Sequence, residues 1–224
     1  SFGIIRHALQ RGRVSLLEPE AYEACNEYGI RVPPFRTADS VEDAIAAAAG
    51  IGYPVALKVV SEEILHKTDA GGVMLGIDSD GALRTSYARL EANIRKAVPR
   101  IDKMTVMVQK MMPSNTELVL GALRDRSFGP VVMFGMGGIY VEALKMVGFR
   151  LSPISPEEAK RLILETLPPA LIHGVRGRDP MNVDSIAGVL VSLGQMLEEQ
   201  PRIERAKFFM TAHDAYVLNL KPRV

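Results

Sequence analysis

The stretch YPVALKVVSEEILHKTDAGGVMLGI, from Tyr53 to Ile77, constrains this chain more than any other. An apolar run broken by one lysine, Pro54 to Val60, leads into a polar loop with His66, Lys67, Thr68 and Asp69, and Gly71 and Gly72 precede a second apolar run. That order reads as strand, reactive loop, strand. Adjacent glycines permit positive φ and can present backbone N–H groups to an anion, while His66 supplies a titratable nitrogen and Lys67 a fixed cation. The loop suits a phosphoryl group. Read without chemistry, it is a polar strand connection with a solvated His-Lys pair.

Around this stretch, 224 residues suffice for one large domain or two small ones. The net charge of +1 calls for neither nucleic acid nor an anionic membrane, which leaves small molecules as the expected partners. The single cysteine, Cys25, cannot form an internal disulfide and lies on a helical face, as expected of a buried thiol in a reducing, cytoplasmic compartment. No apolar run has the length of a membrane span, and the N-terminus lacks a signal-peptide layout.

Taken in order, residues 1–16 form a basic amphipathic arm with Phe2, Ile5 and Leu9 on one face. Leu17 to Tyr28 reads as a helix with Pro19 in its first turn and Gly29 as its stop, and Pro33 and Pro34 hold the following segment extended. Ser40 is the expected N-cap of an Ala-rich helix ending at Gly50. After the central stretch and a turn over Asp78 to Gly81, Leu83, Tyr87, Leu90, Ile94 and Val98 mark a helix over Ala82 to Val98. Met104 to Met112 closes a first lobe, 17–112, and Pro113 to Thr116 reads as a hinge.

The second lobe, 113–224, opens with extended runs at Glu117 to Arg124, Pro130 to Phe134 and Ile139 to Leu144, with turns at Asp125 to Gly129 and Gly135 to Gly138. Ser155 caps a helix to about Leu167, Pro168 to Pro180 is a loop, Asp184 to Glu199 is helical, and Ala206 to Met210 with Tyr216 to Leu220 is a hairpin. Helices and antiparallel strands interleave in two blocks, an α+β pattern.

Lys58 interrupts an apolar strand: buried, it would need anionic company such as a phosphate; otherwise it marks the solvated side of the strand. The Gly135, Gly137 and Gly138 cluster can bring backbone donors against a phosphate, and Glu117 and Glu142 flank it, either facing one cavity or solvated. Arg150 and Arg176 could each clamp a carboxylate or phosphate bidentately. No zinc pattern, P-loop or nucleophile elbow is present.

YPVALKVVSEEILHKTDAGGV, TELVLGALRDRSFGPVVMFGMGGIYVEALK, GFRLSPISPEEA and GVRG together resemble, in order and over nearly the whole chain, the ATP-grasp module of ADP-forming acyl-CoA synthetases. In archaea that module resembles a separate β subunit. The resemblance implies an ATP-grasp fold of two α/β lobes with a nucleotide cleft between them. It implies interconversion of acyl-CoA, ADP and phosphate with the free acid, CoA and ATP. It also implies an α subunit carrying the CoA-binding and ligase domains, in an α2β2 assembly. His66 carries over as a phosphohistidine that relays the group to ADP. Lys58, Lys67, Asp69, Gly71, Gly72, Glu117, Gly135, Gly137, Gly138, Glu142 and Arg150 carry over as nucleotide contacts.

The chain also departs from the family pattern. Lys110 stands where the family has Glu, Met146 where it has Asp, and Asn219 where a strand Asp would hold Mg²⁺; an upstream Asp-x-Asn-Pro segment is missing. Asn219 is then the remaining metal candidate, with Asp214 or Glu142 as substitutes. Fewer hard oxygen ligands predict weakened Mg²⁺ binding. Two other readings follow: a degenerate ATP-grasp subunit with an assembly or regulatory role, and a free-standing carboxylate–amine ligase, in which His66 has no role.

Overall fold

The computed structural model describes residues 2–64, 67–101, 103–113, 117–137, 146–174, 180–212 and 217–220, with backbone only for Phe2, Phe208 and 217–220. The chain divides into a smaller unit, Pro33–Met112, and a larger one built from Ser1–Val32 and Pro113–Val224. Residues 17–32 therefore cluster with the residues that follow Pro113.

In the smaller unit, β1 (Phe35–Ala38), β4 (Thr105–Lys110), β2 (Val55–Val60) and β3 (Val73–Ile77) form an antiparallel sheet in that spatial order. Helices α3 (Val41–Ile51) and α4 (Asp80–Ala97) supply its other layer. Ser40 caps α3 as expected, its Oγ accepting from the Asp43 N–H at 3.1 Å, but the helix passes Gly50 and ends at Gly52, whose φ of +86° suits only glycine. Helix α4 starts two residues before the expected position because Ser79 caps it. Its apolar stripe Leu83, Tyr87, Leu90 and Ile94 is buried on Val55, Leu57, Val59, Val106 and Val108, so one face of the sheet is committed to this core.

In the larger unit, β7 (Val147–Leu151), β6 (Gly129–Met136), β5 (Glu117–Asp125), β8 (Arg205–Thr211) and β9 (Val217–Leu220) form a five-stranded antiparallel sheet in that order. Helices α5 (Pro156–Thr166), a single turn α6 (Pro169–Ile172) and α7 (Val183–Glu199) accompany it. Ser155 and Glu158 form a full capping box at the start of α5, with bonds of 3.2 and 3.1 Å. Gly148 lets α5 approach β7: a Cβ there would sit 2.4 Å from Thr166 Oγ1 and 2.6 Å from Leu162 Cδ1.

Two expectations change here. Gly135 and Met136 continue β6 and are not a turn, and the expected arm is a helix, α1 (Phe2–Gln10), that buries Ile5 and Ala8. The expected strand at Ile139 to Leu144 lies outside the described residues. Helix α2 (Glu18–Glu27) is tied to α7 through Tyr28, whose hydroxyl donates to Glu199 at 3.0 Å and accepts from Gln200 Nε2 at 3.0 Å. Cys25 is fully buried on α2, and burial pushes its thiol pKa well up.

Candidate functional site

Lys58 sits mid-way along β2, opposite Val73 of β3 and Met107 of β4. Strand alternation sends Val55, Leu57 and Val59 into the helix-side core, so Lys58 occupies the other face with Ala56. That face is buried too: Lys58 is 9% exposed, Gln109 4% and Met107 0%. Of the two readings of this lysine, the solvated one is excluded. A buried ammonium is stable only in polar or anionic company.

The loop after β2 closes on itself. Gly71 has φ of +65°, and its N–H donates to the Thr68 carbonyl at 3.0 Å; the Gly72 N–H donates to the Lys67 carbonyl at 2.7 Å. Both donors are thus spent inside the loop, a correction to the expectation that they face an anion. The glycines serve close approach instead. A Cβ on Gly72 would meet Val59 Cγ1 at 2.6 Å, and one on Gly71 would meet Asn93 Nδ2 at 2.5 Å. Asn93 donates to the Gly71 carbonyl at 3.1 Å, pinning the loop to α4. This residue escaped the sequence reading; its signal was a polar side chain between Leu90 and Ile94 on the packed side of the helix. Lys67 is half-buried and Asp69 exposed. His66 lies outside the described residues.

Tyr53, which opens the stretch, donates its hydroxyl to Asp80 at 2.7 Å; burial first, and then this carboxylate, push its phenol up to about 12. At the same end of the sheet Lys110, opposite Val55, donates its ammonium to the Gly52 and Tyr53 carbonyls.

In the larger unit the structure brings two candidates together. The Gly137 N–H donates to the Glu117 carbonyl at 2.8 Å, and a Cβ on Gly137 would lie 2.9 Å from Glu117 Oε1. The carboxylate of Glu117 therefore lies against the backbone of the glycine segment. Gly135 is demanded by its neighbour strand, since a Cβ there would meet the Met146 carbonyl at 2.4 Å. Arg150 already grips a carboxylate of its own chain: it pairs with Glu165 on α5 and also donates to the Phe149 carbonyl at 2.9 Å. Gly138, Glu142, Arg176 and Asp214 lie outside the described residues. Asn219 sits in β9 opposite Phe209, in the register row of Val119 and Gly135; its side chain is outside the description.

Among the described residues no group of three or more His, Cys, Asp or Glu side chains could hold a metal ion. Mg²⁺ usually takes one or two carboxylates plus nucleotide phosphates, so the Glu117 carboxylate beside the glycine segment fits a nucleotide-borne ion better than a protein cage. No helix among the described residues is long and apolar enough to cross a membrane.

The family model described as ATP-grasp domain matches residues 7–220. The chain belongs to the ATP-grasp family. It is 42% identical over 189 residues to the β subunit of ADP-forming acetate–CoA ligase I of Pyrococcus furiosus, covering 84% of this chain and 82% of that one. It is 38% identical over 200 residues to ADP-forming acetate–CoA ligase I of Archaeoglobus fulgidus, but spans only 29% of that protein, most of which lies outside the match.

Among solved structures, dinucleotide-forming acetyl-coenzyme A synthetase 1 of Ca. Korarchaeum cryptofilum, in complex with coenzyme A, Ca-AMPCP and HgCl+, superposes with a TM-score of 0.94 at 34% identity, covering 99% of this ATP-grasp chain and 98% of its own. Another complex of that protein holds coenzyme A and Mg-AMPPCP, with its phosphohistidine segment pointing towards the nucleotide binding site; it gives a TM-score of 0.85 at 33% identity, with the same coverage of 99% and 98%. The expected α+β, ATP-grasp architecture is therefore the observed one.

Proposed function

We propose that this chain is the nucleotide-binding subunit of an ADP-forming acyl-CoA synthetase, an acid–thiol ligase active only with a CoA-binding α subunit. One observation carries this reading: the Pyrococcus furiosus relative is a β subunit of such a ligase, and the likeness spans most of both chains. The overall reaction is acyl-CoA, ADP and phosphate to free acid, CoA and ATP.

His66 receives the phosphoryl group. As its ring nitrogen bonds to phosphorus, the bond to the partner subunit's phosphohistidine breaks; an oxygen of the ADP β-phosphate then takes the group and releases the imidazole. A phosphohistidine segment turned towards the nucleotide in the Korarchaeum relative supports such a delivery. An imidazole is a competent phosphoryl nucleophile near neutral pH. The self-closed Lys67–Gly72 turn follows His66 directly and limits the loop's freedom, which is the positioning that phosphoryl transfer depends on.

Lys58, Lys67 and the glycine segment at Gly135, Gly137 and Gly138 neutralise or contact nucleotide phosphates. Asp69 lies at the loop's exposed side, and Gly71 and Gly72 act by shaping the loop. Glu117, Glu142 and Asn219 are the residues that would approach Mg²⁺, which when bound offsets phosphate charge. Arg150, held by Glu165, bounds the site through its strand.

The test mixes the chain with its CoA-binding subunit, Mg²⁺ and γ-labelled ATP. Acid-labile label on His66, and loss of ADP-dependent turnover in His66→Ala, are the expected results. Full turnover in that variant removes the relay. Absence of both label and ADP binding assigns the chain to the degenerate class, a subunit kept for assembly or regulation, which the substitutions at Lys110, Met146 and Asn219 favour.

A further inference from the structure

The sheet of the larger unit has two unequal faces. One packs on α5 and α7, as the Gly148 approach to Leu162 and Thr166 requires. On the other, register aligns Leu123, Val131 and Leu151 in one row and Gly121, Met133 and Phe149 in the next. Leu123 is 36% exposed, Phe149 50% and Leu151 56%, and β7 is the outermost strand among the described residues. Val131 and Met133 are partly exposed between them, and large exposed apolar side chains gathered at a sheet edge are uncommon unless something covers them.

Two further features belong to the same end of the sheet. Phe128 is 72% exposed at the β5–β6 turn, and that turn is pinned: Asp125 Oδ1 accepts from the Ser127 and Phe128 N–H groups at 2.8 and 3.0 Å. An aromatic on a fixed turn loses little freedom when it docks. Lys207 pairs with Gly121 and Arg205 with Leu123, so exposed cations sit on the apolar face beside the rows.

We propose that this face docks the CoA-binding half of the enzyme, through a partner surface that is apolar at its centre and acidic at its border. The partner's identity rests on the functional reading above; the surface does not. A second copy of this chain would bring two Arg205 and Lys207 rows into one interface, which like-charge repulsion opposes. A larger polypeptide is at hand, because most of the Archaeoglobus relative lies outside the part this chain matches. The outer row is separate from the glycine segment: Leu123 is six residues along β5 from Glu117, roughly 20 Å of extended strand, whereas the Met133 row lies two residues from Gly135.

The experiment measures assembly of the chain with the purified CoA-binding subunit from the same source by sedimentation. Leu151→Asp combined with Phe128→Ser is expected to weaken the complex about tenfold or more, with the thermal midpoint and ADP affinity of the isolated chain unchanged. Wild-type assembly by that variant overturns the surface. A wild-type chain that binds ADP yet forms no complex with that subunit overturns the partner, and with it the proposal as stated. Self-association that the variant loses assigns the face to a second copy and overturns the proposal. An unlabelled His66 inside an intact complex sinks the relay alone. As an independent readout, Leu151→Cys should react with a maleimide when free and be protected on adding the subunit; Cys25 is fully buried and stays silent. Unchanged labelling overturns the proposal.

Discussion

Lys110, the last residue of β4, donates its ammonium to the carbonyl of Gly52 at 2.9 Å and, through a second bond, to that of Tyr53 at 2.7 Å. Both acceptors lie just past the C-terminus of α3, where helix carbonyls are left without intrahelical partners and the dipole favours a cation. Lys110 is thus a structural clamp between a helix end and the start of the Tyr53–Ile77 stretch. Lys110→Ala should lower unfolding free energy by about 1 to 2 kcal/mol, and Lys110→Glu by more, because a carboxylate would then face two carbonyls. Urea unfolding decides it; equal stability of wild type and Lys110→Glu would show that the clamp contributes nothing.

The connection between α1 and α2 is tied to α2 by an ion pair with an acid-sensitive signature. Arg13 makes two bonds to Glu20, at 2.7 and 2.6 Å, and the Leu17 N–H adds a third at 2.8 Å. Burial raises the Glu20 pKa, but the Arg13 guanidinium and the Leu17 N–H outweigh it and hold the carboxyl below its usual range. A depressed folded value means stability that is complete above the unfolded value of about 4.3 and is lost as pH falls through the folded one. Glu20→Gln should cost about 2 kcal/mol at neutral pH, less than a fully buried pair because Glu20 keeps some contact with water, and should flatten the stability loss as pH falls below the unfolded value of about 4.3. An unchanged acid limb would place the titration elsewhere.

What was legible in the sequence followed local rules. The apolar stripe of α4, the caps at Ser40 and Ser155 and the terminal hairpin stand where periodicity and capping chemistry put them. What was not legible depends on distant partners. Glycine at 135 signals a turn to a local reading, yet it is there because Val147 of β7 and Met146 just before it press against it. The Gly71 and Gly72 donors looked free for an anion because their acceptors, Thr68 and Lys67, are chosen only once the turn is folded. Helix α2 joins the larger unit through Tyr28 and Glu199, 171 residues apart, which no window of sequence contains.

The loop that follows His66 offers a graded series. Asn93→Ala removes the bond to the Gly71 carbonyl and should cost about 1 kcal/mol. Gly71→Ala forces an L side chain into positive φ and against Asn93, about 1 to 2 kcal/mol. Gly72→Ala drives a methyl into Val59 and the Lys67 carbonyl, with a loss of about 2 kcal/mol or more and faster hydrogen exchange at the Gly71 amide. Thermal unfolding with amide exchange reads the series. A Gly72→Ala protein as stable and as protected as wild type would mean the turn is not the one described.

The metal question turns on one position. Asn219 stands in paired backbone, opposite Phe209 on β8, in the register row that contains Gly135 and Val119. An amide oxygen binds a hard cation more weakly than a carboxylate, so an Asp at this position should bind Mg²⁺ more tightly. Asn219→Asp is expected to lower by about tenfold the Mg²⁺ concentration at which ADP raises the thermal midpoint. Without Mg²⁺ and ADP the same variant should be slightly less stable than wild type, by about 0.5 kcal/mol, because it adds a negative charge with no cation to offset it. The two effects have opposite signs, so a titration of midpoint against Mg²⁺ separates them. A midpoint that falls by the same amount at every Mg²⁺ concentration would mean that position 219 only builds the strand and that the ion is held by the nucleotide and other residues.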